Sequence, residues 1–127
     1  MKVVPLYAAI LALLFIVLSV RTIRMRGRLR IAIGDAGNAA MQRAMRAHSN
    51  FAEYVPLALL LLYFVESSGG SPAVLHGMGV ALVAGRVSHA IGVSQVREPR
   101  GFRVVGMALT IATIVSASLY LLRLQLA

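Results

Sequence analysis

The chain contains no cysteine. Disulfides, protein thiolate nucleophiles and cysteine metal sites are excluded, and any thiol chemistry has to use a thiol brought by a ligand. Acidic residues are scarce, four against thirteen basic ones, giving a formal net charge of +9. His48, His76 and His89 are too dispersed for a metal motif, so no metal site is expected. Ser88 has no Asp–His pairing of the kind that hydrolysis needs. No internal repeat or low-complexity tract is evident.

What the chain has is hydrocarbon. Hydrophobic residues make up 59% of its 127 positions and charged ones only 13%. A soluble domain of this size buries about 60–70% of its surface and cannot hide so many apolar side chains. Helical spans of about 20 residues can place them in a bilayer instead. The pattern predicts one all-α integral membrane domain over 1–127, a four-helix bundle with spans near 3–20, 39–66, 73–93 and 102–122. The basic Lys2 before the first run resembles a signal peptide. The run is long for one, however, and arginines follow it instead of a small-residue cleavage site, so a retained helix is expected.

All but one of the basic residues are arginine, and their distribution matters more than their number. Arg21, Arg24, Arg26, Arg28, Arg30, Arg43 and Arg46 fall between the first two apolar runs. Arg97, Arg100 and Arg103 surround the gap between the last two. The gap around Ser67 to Pro72 carries no basic residue. This asymmetry predicts cytoplasmic basic loops, with both termini on the far side. It also accounts for the positive charge without nucleic acid, and makes anionic membrane lipid the better electrostatic partner.

Residues 21–38 read as a loop, with Gly27, Gly34 and Gly37 breaking regularity and Ile33 to Asn38 supplying turn chemistry. The next helix, Ala39 to about Glu66, is amphipathic in its first half. Pro56 lies inside it and predicts a kink. In the third span Gly77, Ala81, Gly85 and His89 recur every four residues, and in the fourth Gly106, Thr110 and Thr113 offer a second small face. Small residues at such spacing let helices approach closely in lipid.

Arg46, Asn50 and Glu53 share one helical face at i, i+4 and i+7. A guanidinium fork, an amide and a carboxylate together suit a small zwitterion with carboxylates and an amino group. The same groups also suit a polar zipper between helices, and spacing alone leaves the two readings level. Glu53 is the one carboxylate well placed among the spans. Arg86 and His89 are helical neighbours, and a buried histidine of this kind is more often hydrogen-bonded structure than ligand or base. Arg103 opens the last helix on the same membrane side as Arg46, where a guanidinium can stabilise a thiolate.

The run Arg46-Ala47-His48-Ser49-Asn50-Phe51-Ala52-Glu53-Tyr54-Val55-Pro56, then Gly85-Arg86-Val87-Ser88-His89-Ala90, then Arg103, resembles the MAPEG proteins (membrane-associated proteins in eicosanoid and glutathione metabolism). The Gly34-Asp35 turn and the short chain are similar to the bacterial branch. The resemblance implies a homotrimer in the bacterial inner membrane, with glutathione as co-substrate held between subunits near the cytoplasmic face. It implies glutathione contacts for Arg46, Asn50, Glu53, Arg86 and His89, a first-helix contact for Arg21 or Arg24, and thiolate activation by Arg103. Val93 stands where eicosanoid synthases carry a tyrosine, Ser49 replaces a basic residue of the prostaglandin enzyme, and Arg100 is a rival for Arg103. The leading expectation is conjugation of glutathione to, or peroxide reduction of, a lipophilic small-molecule substrate. The alternatives are a non-enzymatic lipid- or ligand-binding membrane protein and a purely structural trimer.

Overall fold

The structure, a computed structural model, describes residues 2–126. It consists of four helices, α1 (Val4–Leu29), α2 (Ala39–Ser67), α3 (Pro72–Ser94) and α4 (Arg100–Leu126). Local chemistry sets most boundaries. Pro5 and Pro72 occupy the first turns of α1 and α3, where a missing N–H costs nothing. The Asn38 side chain caps α2 by accepting from the Met41 N–H at 3.0 Å.

The expected loop at 21–38 is shorter than its glycines suggested. α1 continues through Gly27 to Leu29 and stops where Arg30 turns left-handed, at φ 55°. One glycine costs a helix only about 1 kcal/mol, and the flanking Arg, Met and Leu are good helix formers. At roughly 1.5 Å per residue α1 is about 39 Å long, more than the about 30 Å of hydrocarbon. Its last turns, with Arg24, Arg26 and Arg28, therefore extend beyond that slab. The remaining turn follows expectation, since Gly34 and Gly37 take φ values of 69° and 74° and the Asp35 Oδ1 accepts from the Gly37 N–H at 2.9 Å.

α2 and α3 form the centre, with α1 packed on one flank and α4 on the other, out of reach of α1. The inward face of α2 is Met41, Ala44, Ala47, Phe51, Val55, Ala58, Leu62 and Val65, at steps of three and four residues. Outside, Ile10, Leu13, Ile16, Val17 and Ile23 of α1 and Val104, Val105, Ile111, Val115 and Leu119 of α4 are exposed. Such an apolar exterior suits lipid and protein neighbours and is unfavourable in water. Among the described residues α1, α3 and α4 are long and apolar enough to cross a membrane. α2 matches them in length, at 29 residues. Its first half carries Arg43, Arg46, Asn50 and Glu53 and is polar.

α3 and α4 make the closest contact. A Cβ on Gly106 would stand 2.5 Å from the His89 backbone nitrogen and 2.6 Å from the Gly85 carbonyl oxygen, so only glycine fits without displacement. The expected face Gly106, Thr110, Thr113 is buried and continues to Ala117. The four-residue stripe expected on α3 is packed only in its second half: Gly85 and His89 are buried, Gly85 against Leu109 and Gly106 of α4, whereas Gly77 is open to the outside. The series buried along the whole helix runs through Leu75, Gly79, Leu82, Arg86, His89 and Val93, with Gly85 beside it. Steps of four advance about 400° and drift off a face, whereas alternating threes and fours keep it.

At the end of the bundle remote from the arginine-rich segments, the Glu66 carboxylate of α2 receives the backbone N–H groups of Val3 and Val4, the latter at 3.1 Å. Glu66 thus caps the start of α1 from another helix. Tyr120 joins the same end, its hydroxyl accepting from the Ser71 N–H at 3.0 Å.

Candidate functional site

At the arginine-rich end an open crevice of about 420 Å³ is lined by Gln42, Arg43, Arg46, Asn50, His89, Val93 and Arg103. α2 supplies the first four, α3 the next two and α4 the last. Four residues singled out by spacing and resemblance, Arg46, Asn50, His89 and Arg103, therefore share one wall. Arg100 is exposed and does not line it, and α4 begins at Arg100, three residues before Arg103.

Arg86 lies behind the wall, fully buried. Its Nη2 donates to Asn50 Oδ1 at 2.8 Å and reaches His89 Nδ1 at 3.1 Å. Its Nη1 lies 3.5 Å from Thr110 Oγ1, and the guanidinium carbon sits 5.6 Å from the centre of the Phe51 ring. No carboxylate pairs with it among the described residues, and its Nε has no partner.

A guanidinium can only donate, so both neighbours have to accept. With Nδ1 accepting, the proton of a neutral His89 sits on Nε2. With Oδ1 accepting, Asn50 has its NH₂ group left to offer. Arg86 thus turns two ambivalent side chains into donors on a wall that already holds three arginines. The structural and ligand-binding readings of His89 and Asn50 are therefore compatible, one end of each side chain serving each purpose.

Glu53 does not line the crevice. It forms an exposed pair with Arg46 at 3.6 Å, with both side chains about half exposed. Such pairs contribute roughly 0–1 kcal/mol and are readily exchanged for another partner. Arg21 lies elsewhere in the chain and does not line the crevice. Its guanidinium donates to the Ser94 hydroxyl and, at 3.1 Å, to the Ser94 carbonyl, on the side of α3 that faces α1. His48 is a packing residue, stacked on Phe15 with ring centres 4.7 Å apart and bonded to Ser19 Oγ at 3.1 Å.

Gln42, Arg43 and Glu98 were not among the expected site residues, although spacing puts Arg43 on the same helical face as Arg46, Asn50 and Glu53. Glu98 carried little signal, as the lone acid in a basic loop. Its Oε2 accepts from Arg43 Nη1 at 3.1 Å, and its Oε1 lies 2.9 Å from Arg103 Nε. Glu53 is therefore not the one well-placed carboxylate, since folding brings Glu66 and Glu98 to partners far away in sequence.

The sequence model of the MAPEG family matches residues 4–123. The chain is similar to the inner membrane protein YecN of Escherichia coli K12, at 40% identity over 87 residues, which is 68% of this chain and 66% of that protein. The protein of the same name in E. coli O6:H1 matches to the same extent. The matched stretch thus spans just under two thirds of the length of these curated relatives. No solved structure matches.

Proposed function

The chain belongs to the MAPEG family of integral membrane proteins, and from that premise we propose that its crevice binds glutathione and presents the thiol to lipophilic electrophiles. The observation that carries this reading is the donor-rich wall. Arg43, Arg46, Arg103, the Asn50 amide and His89 Nε2–H converge on one open crevice, and Arg86 fixes the last two as donors. A tripeptide with two carboxylates and a thiol offers the anionic groups such a wall takes. Glu53, beside Arg46 at the margin, offers a carboxylate for the ligand's amino group.

A free thiol of this type ionises near a pKa of ~8.5 and is mostly protonated at neutral pH. A guanidinium beside the bound sulfur favours the thiolate, each tenfold gain in ionisation being worth about 1.4 kcal/mol. Arg103 takes that role. The thiolate attacks an electrophilic carbon dissolved in the bilayer, a carbon–sulfur bond forms, and the leaving group departs with the electron pair of its bond. In peroxide reduction the same thiolate attacks a peroxide oxygen, the O–O bond breaks and the alcohol leaves, and a second glutathione thiol displaces water from the resulting sulfenic acid to give the disulfide. The inner membrane, with the crevice at the cytoplasmic face, is the setting that the relative's name and the arginine distribution support. We place the protein in a homotrimer, a neighbouring subunit covering the open side of the crevice and part of the apolar exterior.

A second reading, ligand binding without turnover, draws on one feature. Glu98 already pairs with Arg103, which reduces the charge that guanidinium can offer a thiolate. Calorimetry in detergent and a turnover assay with glutathione and a generic aromatic electrophile separate the two. Arg46→Ala and Glu53→Ala are expected to weaken binding, and Arg103→Ala to lower turnover more than binding. Absence of heat at millimolar glutathione sinks both the transferase reading and glutathione as ligand. Equal losses in binding and turnover for Arg103→Ala demote it to a binding residue.

A further inference from the structure

We infer that Glu98, in the loop between α3 and α4, is a positioning residue that sets the two crevice arginines Arg43 and Arg103 from outside the crevice. This rests on the reading of the crevice as an anion-binding site. Glu98 is not part of the crevice wall. Its side chain is only 11% exposed, against 29% for Arg43 and 48% for Arg103. One carboxylate serves both cations. Oε2 accepts from Arg43 Nη1 at 3.1 Å and from Arg103 Nη1 at 3.4 Å. Oε1 lies 2.9 Å from Arg103 Nε, off the direction of a hydrogen bond, so that contact is ionic. The Val93 carbonyl holds the same Arg43 Nη1 at 3.4 Å. In both arginines Nη2 has no partner among the described residues, which leaves that edge for a ligand.

The arrangement has a physical purpose. Two guanidiniums that line one crevice repel each other, and each long side chain has rotamer freedom to lose. A shared carboxylate behind them offsets the repulsion and removes part of that freedom before a ligand arrives. Binding is then stronger because less ordering remains to be done. A ligand anion approaches the free edges, and Glu98 stays in place. If Glu98 instead occupied the ligand's own seat, its removal would tighten binding.

The test uses the full-length protein in detergent, as wild type, Glu98→Gln, Glu98→Asp, Arg43→Ala and the Glu98→Gln/Arg43→Ala double variant. In the first arm phenylglyoxal, which modifies free guanidinium groups, is followed by peptide mass mapping. Arg43 and Arg103 are expected to react several-fold faster in Glu98→Gln, with Arg46 unchanged as the internal control. Glu98→Asp, one methylene short, is expected to protect one of the two. In the second arm glutathione is titrated, and Glu98→Gln is expected to bind about tenfold more weakly, the loss of charge-assisted contacts. That loss is expected to shrink in the Arg43→Ala background, as it must if Glu98 acts through Arg43. Unchanged labelling of both arginines overturns the inference without reference to glutathione. Equal or tighter glutathione binding by Glu98→Gln overturns it as well. A wild type that takes up no glutathione overturns the ligand reading alone, and the labelling arm still decides the placement of Glu98.

Discussion

At the scale of single residues, Arg86 links the core to the site. It is the hydrogen-bond donor to Asn50 and to the buried His89. Arg86→Met leaves those acceptors without a partner and is therefore expected to lower the unfolding temperature in detergent, at about 1–3 kcal/mol for each buried group left unsatisfied. Its glutathione affinity is expected to fall about tenfold or more, because Asn50 and His89 lose the donor that fixes their polarity. A variant that is destabilised but binds normally would reverse that assignment. The sequence made the types and spacing of these residues legible. It could not show that Arg86 lies behind the other two, since both a polar zipper and a ligand wall use arginine, amide and histidine. Glu98 was less legible still, because its partners lie on helices before and after its loop and no periodicity records that meeting.

At the scale of helices, number, order and most ends were readable from apolar runs, prolines and the Asn38 cap. One reading failed and one held only in part. A single glycine among good helix formers did not stop α1. A repeat of exact fours on α3 drifted off the packed face, so Gly77 is open to the outside while Gly85 and His89 are buried. The α4 face, with steps of four and three, did stay inside. The α3–α4 seam then places His89 opposite the start of α4, so packing at Gly106 bears on the site. Gly106→Ala is expected to cost about 1–3 kcal/mol, the usual penalty for overpacking. Thermal unfolding in detergent measures this, and an unchanged midpoint would show that the helices separate without cost.

At the scale of the whole molecule, the chain has two unlike ends. One carries the arginine-rich segments and the crevice, and the other carries Glu66, Tyr120 and the short turn before α3. The absence of cysteine makes orientation measurable, because any introduced thiol is unique. Gly27→Cys is expected to react with a membrane-impermeant maleimide only after the cytoplasmic side is opened. Ser68→Cys is expected to react from the opposite side in intact cells. The reverse pattern would overturn the orientation drawn from the arginines.

The Glu66 cap also constrains the order of events during synthesis. The two amide groups that begin α1 find their acceptor 62 and 63 residues later in the chain. Water and lipid headgroups have to satisfy them while the ribosome completes α2. Once α2 is made, the Glu66 carboxylate takes their place. The α1–α2 hairpin is therefore the smallest portion of the chain that supplies the opening turn of α1 with its own acceptor.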